Sequence, residues 1–317
     1  MKVLALTCGD PGGIGPEVVV KSISAVHSMG VVPLIIGPRW PLNRLSDLVF
    51  ESWTPDTVFE LGKTYHLDIG FHFDVPVIGQ DDAHNGQAAA AAIEDAVRLV
   101  DLGIVNGIVT APISKMSLQL AGIKHTGHTT YLQHLAKAPY VTMGFYTPRL
   151  KTVLTTVHVP LKKVSEMLTH QRLSETLDHA ILFCAQLGIE SPKIAIAGFN
   201  PHAGEGGMFG DEEQEVIIPF VAEKRGLGIA ISGPYPPDTL YFRAYEGEFD
   251  MVISLYHDQG LIPVKLIGFH DAVNVTIGLP FVRTSPDHGT AYDIAYQDQA
   301  NPSSFIAAAR LAVEMMA

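Results

Sequence analysis

Cysteine is scarce in this 317-residue chain: Cys8 and Cys184 are the only two, too few for a disulfide framework or a cysteine-rich zinc site. That scarcity fits a reducing cytoplasm, where the protein is expected. Basic charge is short as well, with 21 Lys and Arg against 33 Asp and Glu, a formal net charge of −12, and no basic run longer than Lys162-Lys163. No nucleic-acid partner and no anionic-membrane surface are expected. Long hydrophobic runs are missing too, since pieces such as V-V-P-L-I-I (31–36) fall far short of the ~20 residues that span a bilayer. The V-L-A-L-T before Cys8 is likewise shorter than a secretory core of ~7–15 residues, which argues against a lipoprotein-type signal. What is present is apolar and globular: 47% hydrophobic residues supply core for two domains or one large α/β unit.

Short β-rich runs alternate with longer helical patterns. V-L-A-L-T (3–7) precedes a helix from Pro16 to Ser28, V-V-P-L-I-I follows, and a helix from Gln87 to Leu102 leads into G-I-V-T-A (107–111). Strands separated by helices predict βαβ units and a largely parallel sheet. The alanines of the Gln87 helix predict a close packing face, and Gly103 its end. From Val141 the pattern changes to two strands joined at T-P-R, a hairpin that predicts a mixed sheet or second sub-domain. Alternation then resumes with helix 172–187, strand 193–198, a helix near 210–225, strand 251–256 and a last helix 302–316.

The glycine-rich stretch C-G-D-P-G-G-I-G-P-E (8–17) sits between the first strand and first helix, with Pro16 at the helix start. It matches neither nucleotide fingerprint: no Lys follows as in a P-loop, and Gly13-Ile14-Gly15 runs into Pro16-Glu17-Val18 instead of completing G-x-G-x-x-G. Glu17 also takes the place an anion would occupy at the helix N-terminus. A tight turn beside a cleft is the reading that survives.

Three histidines fall where strands should end: His158 in T-T-V-H-V-P-L, His202 in G-F-N-P-H-A-G-E-G-G and His257 in S-L-Y-H-D-Q-G. Open α/β sheets bind ligands at strand C-terminal ends, so these imidazoles either converge on one metal or are hydrogen-bonded surface histidines. His27, His66, His72 and His179 stand in ordinary contexts. In H-T-G-H-T-T-Y-L, Thr129 could cap a helix while His128 and the free N–H groups face an anion. Lys265, Asn274 and Arg283 are set in apolar runs and need either an internal carboxylate or a bound anion. In S-P-D-H-G-T-A-Y-D-I-A (285–295), Gly289 allows close backbone approach, while Asp287 and Asp293 are either hydroxyl acceptors or helix caps.

Taken in order, G-D-P-G-G-I-G-P-E, T-A-P-I-S-K, G-H-T, H-V-P-L, N-P-H-A-G-E-G-G-x-x-G-x-E-E, G-P-Y-P-P-D-T, Y-H-D-Q-G-L-I-P-x-K and V-N-x-T-x-G-L-P-F-x-R-T-S-P-D-H-G-T-A resemble, nearly end to end, the 4-hydroxythreonine-4-phosphate dehydrogenase family of pyridoxal phosphate biosynthesis. The resemblance implies an α/β protein of the two-domain isocitrate/isopropylmalate dehydrogenase-like fold, αβα layers around a mixed sheet, with the active site in the interdomain cleft. It places one domain at 1–128 plus 284–317 and a central domain with the dimer interface at 129–283. It also implies a homodimer with shared active sites.

Residue by residue, the resemblance assigns His158, His202 and His257 to a divalent metal (Zn, Mg or Co) with ligands drawn from both subunits. Asp238 would lie near that metal. His128, Thr129, Lys265, Asn274 and Arg283 would hold a phosphorylated hydroxy-acid substrate, and Gly289, Ala291 and Asp293 would lie near NAD(P). The implied reaction is oxidation of 4-phosphohydroxy-L-threonine to a 3-oxo acid that decarboxylates to 3-amino-2-oxopropyl phosphate. Lys265 acting through water and the metal's own water are both open as general base. Thr130 departs from the acidic residue common after G-H-T, so substrate identity is the open point. D-threonate or D-erythronate 4-phosphate and a dihydrodiol dicarboxylate are the alternatives, with a non-catalytic metal- or phosphate-binding module a minor one. The opening loop resembles the G-D-G-I-G-P-E turn of the isocitrate-dehydrogenase-like enzymes, and Asp10 with its glycines is expected to lie near the cofactor.

Overall fold

A computed structural model describes residues 1–71 and 77–316, so His72 lies outside the described residues. The chain begins with β1 (Val3–Thr7), α1 (Gly15–Ser28), β2 (Val32–Gly37), α2 (Arg39–Leu45), β3 (Glu51–Ser52), β4 (Tyr65–Asp68), α3 (Ala83–Asp101), β5 (Gly107–Thr110), α4 (Lys115–Leu120) and α5 (His128–Leu135). Next come β6 (Thr142–Tyr146), β7 (Lys151–Leu154), α6 (Val164–Met167), α7 (His170–Gln186), β8 (Ile194–Ala197), α8 (Ile218–Gly226), β9 (Ile231–Tyr235), α9 (Pro237–Tyr245), β10 (Met251–Ser254), α10 (His257–Gly268) and β11 (Val273–Ile277). Last are β12 (Val282–Pro286) and α11 (Ser303–Met315).

These elements divide into two units, Met1–Pro139 with Leu279–Ala317, and Tyr140–Gly278. The first division follows Pro139 where the sequence suggested residue 128, because α5 packs on α3. The second precedes Leu279 where 283 was expected, because β12 pairs with β5.

In the first unit the strand order is β3-β4-β2-β1-β5-β12, every pairing parallel. β1, β2 and β5 are buried at every position, so both faces of this sheet are covered, as in a parallel sheet connected by crossover helices. α3 packs on β1, β2 and β5, while α11 lies on β5, β12 and α1. Gly15 starts α1 because a Cβ there would meet the Cys8 carbonyl oxygen at 2.2 Å. α3 begins four residues before the expected Gln87, where Asp82 accepts the backbone N–H groups of His84 and Asn85 at 2.8 and 3.2 Å. Its Ala88, Ala89, Ala92 and Ala96 are buried as expected.

In the second unit the order is β11-β6-β7-β10-β8-β9. β6 pairs antiparallel with both β7 and β11, and the remaining pairs are parallel. The hairpin read from T-P-R is therefore present, closed by Thr147, whose N–H donates to the Leu150 carbonyl at 2.9 Å. Phe145, Leu154, Val252, Leu240 and Val264 are core residues here, each contributing roughly 1.5–3 kcal/mol by burial. No helix among the described residues is long and apolar enough to cross a membrane.

Candidate functional site

Three neighbouring parallel strands of the second unit, β7, β10 and β8, carry the three histidines on the segments leaving their C-terminal ends. Two of them meet: the rings of His158 and His257 lie 5.7 Å apart, centroid to centroid. Their segments are tied together, since Thr155 and Thr156 donate their N–H groups to the carbonyls of Ser254 and Leu255 at 2.8 and 3.2 Å. His257 opens α10, and its Nδ1 pairs with Asp258 Oδ1 at 2.7 Å. That contact fixes the ring and leaves Nε2 for a ligand. With Leu161, Val164 and Tyr256 the pair borders a cavity of about 280 Å³.

His202 is held separately, on an unusual turn. Residues 202–206 all have left-handed φ, and His202, Ala203 and Glu205 do so without being glycine, at roughly 1 kcal/mol or more each. Strain of this kind persists only where surrounding contacts enforce it. Asp238 is exposed in the first turn of α9. Among the described residues no three His, Cys, Asp or Glu side chains form a group able to hold a metal within one chain. Two imidazoles at this spacing suit two positions of a tetrahedral ion, so a complete set needs a donor from outside this group.

In the first unit, Arg283 on β12 and His128 at the start of α5 form a second constellation. Arg283 is 2% exposed, and its Nη2 donates to Thr110 Oγ1 at 2.5 Å. Burial lowers its pKa to about 9, so an anion brought to it is held far more strongly than in water. Burial, and secondarily the Arg283 charge, hold the His128 imidazole well below its ordinary 6.5. Its buried Nε2 has no hydrogen-bond partner among the described residues. Thr129 follows it, half-buried, and Thr130 turns back to the Gly127 carbonyl at 3.3 Å.

A pH prediction follows for His128. The unfolded chain takes up a proton near the ordinary value of 6.5, whereas the folded site resists it, so the unfolded state binds more protons in the window just below that value. Stability should therefore fall as pH drops from about 7 to 5, by at most about 1.4 kcal/mol per pH unit from this group. The urea midpoint of wild type should fall more steeply with acid than that of His128→Gln; equal slopes for the two would remove His128 from this role.

In the second unit, Lys265 is half-buried on α10, and Asn274 lies on β11 with a buried Oδ1 that has no hydrogen-bond partner among the described residues. The ordinary histidines are internally bonded: His27 to Thr64 at 2.9 Å, His66 to the Gly37 carbonyl at 2.9 Å and His179 to Thr142 at 2.7 Å.

The opening loop packs against the 288–296 segment in the first unit. Ile14 N–H donates to the Thr290 carbonyl at 2.9 Å, Tyr292 Oη to Asp10 Oδ2 at 2.8 Å, and Tyr296 Oη to the Pro11 carbonyl at 2.6 Å. Asp10 is fully buried, which raises its carboxyl pKa against the lowering effect of the Tyr292 bond. Gly289 faces open space, Ala291 is left-handed with φ 41°, and Asp293 is exposed. Sequence reasoning missed Tyr292, Glu213 and Gln259, although each stands inside a quoted motif. Gln259 bridges two of the strand ends, accepting from Leu255 N–H and donating to the Gly198 carbonyl, both at 2.7 Å.

Comparison with known proteins gives a consistent set. The family model described as pyridoxal phosphate biosynthetic protein PdxA matches residues 33–312. The chain is 40% identical to D-threonate 4-phosphate dehydrogenase of Pectobacterium atrosepticum, covering 99% of each chain. It is 43% identical to 4-hydroxythreonine-4-phosphate dehydrogenase of Desulforapulum autotrophicum, over 98% of this chain and 94% of that one. The crystal structure of 4-hydroxythreonine-4-phosphate dehydrogenase from Klebsiella pneumoniae superimposes with a TM-score of 0.87 at 38% identity, covering 100% of both chains.

Proposed function

The chain belongs to the pyridoxal phosphate biosynthetic protein PdxA family, and on that basis we propose that it is an NAD(P)-dependent dehydrogenase of 4-phosphohydroxy-L-threonine. The 3-oxo acid formed by loss of the C3 hydrogen and hydroxyl proton would then release CO₂. What chiefly supports the reading, beside family membership, is the pairing of His158 and His257 at adjacent strand ends. When bound, a divalent cation would polarise the C3 hydroxyl and the nicotinamide would accept the hydride.

The chain's own residues divide the remaining tasks. His158 and His257 offer two nitrogen donors, and His202 of a second copy the third. Arg283 supplies a forked grip on an anion and Lys265 a further hydrogen-bond donor. His128, neutral and with an unpartnered Nε2, can share a hydrogen bond with substrate without adding charge. Asn274 Oδ1 and Thr129 complete the proposed substrate contacts. The open backbone at Gly289, the left-handed Ala291 and the exposed Asp293 carboxylate fit a dinucleotide laid along them, with Asp293 accepting from a ribose hydroxyl. Lys265 through water is the proposed base, and Asp238 would orient groups near the cation.

A second copy is also favoured by the exposed face of α10. Ile262, Leu266 and Phe269 are 67%, 83% and 70% exposed at helical spacing, an apolar stripe that a homodimer would cover. Light scattering on Leu266→Glu should give half the wild-type mass.

A second substrate reading, D-threonate 4-phosphate, is supported by the relative of that name at comparable identity. The two substrates differ at C2, an amino group against a hydroxyl. Nicotinamide reduction on a panel of both, with unphosphorylated threonine derivatives as controls, tests the proposal. Turnover of 4-phosphohydroxy-L-threonine at kcat/KM above the others supports the first reading, preference for D-threonate 4-phosphate the second, and no turnover of any phosphorylated hydroxy acid defeats both.

A further inference from the structure

We propose that Glu213 is a positioning residue for His202: its buried carboxylate holds the left-handed turn that presents the imidazole to a divalent cation. The proposal rests on the reading of His202 as a cation ligand. Glu213 is fully buried, at the start of a π-turn (Glu213–Ile217) preceding α8. Irregular helical turns of this type are found preferentially at functional sites.

The carboxylate grips the root of the His202 segment. Oε1 accepts the backbone N–H groups of Phe199 and Asn200, both at 2.7 Å, and Oε2 accepts from Asn200 Nδ2 at 2.9 Å. Asn200 Nδ2 also donates to Glu212 Oε2 at 2.7 Å, and Glu212 Oε1 accepts from Ser165 at 2.7 Å. Ser165 lies on α6, just beyond His158, so one chain of hydrogen bonds links the His202 root to the His158 segment. The turn is seated on the same carboxylate, because a Cβ at Gly204 would lie 2.8 Å from Glu213 Oε2. From below, Gly198 lets Ala203 approach, since a Cβ there would meet the Ala203 Cα at 2.8 Å.

The residues being held would not choose this backbone. His202, Ala203 and Glu205 have φ of 54°, 52° and 42°, a conformation that L-residues avoid without external support. Charge-assisted acceptance from two adjacent N–H groups is such a support, and a neutral amide at 213 would offer one weaker acceptor and turn a donor toward Asn200 Nδ2. Groups that orient a ligating histidine without touching the ion typically change metal affinity by about 10- to 100-fold.

The test is calorimetric titration of the full-length, metal-stripped protein with Co²⁺ alone, read together with its visible absorption. Glu213→Gln should bind Co²⁺ about 10-fold or more weakly, with an altered spectrum. The double variant Glu213→Gln/Ala203→Gly should recover part of the affinity, because glycine adopts positive φ without the carboxylate's help. A merely structural role would give no such recovery. Should Glu213→Gln fail to fold, Gly204→Ala provides the second arm, displacing the carboxylate from the turn at constant charge with the same expected loss. Wild-type affinity and spectrum in Glu213→Gln or Gly204→Ala overturn the positioning role while His202→Ala still loses Co²⁺. Unchanged affinity in His202→Ala overturns instead the underlying assignment of His202.

Discussion

His257→Ala should lower kcat/KM by about 10³ while leaving the unfolding midpoint nearly unchanged, since a cation that polarises the reacting oxygen supplies several kcal/mol of transition-state stabilisation. The residue lies half-buried at the start of α10 and its only described side-chain hydrogen bond is to the adjacent Asp258 Oδ1 at 2.7 Å, so little folding energy depends on it. His158→Ala should do the same. The more telling variant is the pair together, because residues that act through one shared ion are strongly non-additive. His158→Ala/His257→Ala should cost hardly more than either single change. A double variant whose loss is the product of the two singles would mean that the imidazoles act independently, and the shared-cation account would be wrong.

Arg283→Met should raise the KM for a phosphorylated substrate by about 10² while thermal stability holds or rises. Two charge-assisted hydrogen bonds at about 1.5–3 kcal/mol each set the scale of the affinity loss. The stability expectation runs the other way because a buried cation, with its pKa already pushed down to about 9, is costly to desolvate. A methionine fills much of the volume without that cost, and Thr110 Oγ1 is one partner that must then be satisfied otherwise. A structural arginine behaves oppositely, so a variant that unfolds several degrees lower while keeping its KM would place Arg283 in the scaffold. Arg283→Lys should retain the charge but recover little of the affinity, because the forked geometry is lost.

Much of the scaffold was legible because its signals are local. β1 was bounded correctly from V-L-A-L-T, and the hairpin of β6 and β7 from the change of pattern at T-P-R. Where the sequence misled, a specific competitor won. The first turn of α3 lies before the expected start at Gln87: Asp82 caps it, and Gly86 is required by the Ser117 carbonyl, 2.0 Å from where its Cβ would stand. α10 was unread because Pro263 and Gly260 interrupt it, yet tertiary packing of Leu261 and Val264 carries it through.

For the site, strand-end placement of the histidines could be read, since it depends only on alternation. Which of them meet could not. The proximity of His158 and His257 follows from β7 and β10 being neighbours, a long-range pairing no short motif encodes. The left-handed run at His202 was invisible for a related reason: G-E-G-G advertises flexible backbone, but it does not show positive φ at His202, Ala203 and Glu205, nor that Glu213 from another segment binds the preceding Phe199 and Asn200 N–H groups. The opening loop matches no phosphate-binding fingerprint in its sequence. Its hydrogen bonds to Thr290, Tyr292 and Tyr296 place Asp10 against the segment proposed for the dinucleotide, which composition alone could not have said.

The most direct measurement of the whole account is the formation of reduced nicotinamide from 4-phosphohydroxy-L-threonine by chelator-stripped protein titrated with a divalent cation. The account predicts no reduction in the stripped protein, recovery that saturates with added metal in wild type, and no recovery in His257→Ala. Reduction at an undiminished rate in the stripped protein, or full recovery in His257→Ala, would contradict it.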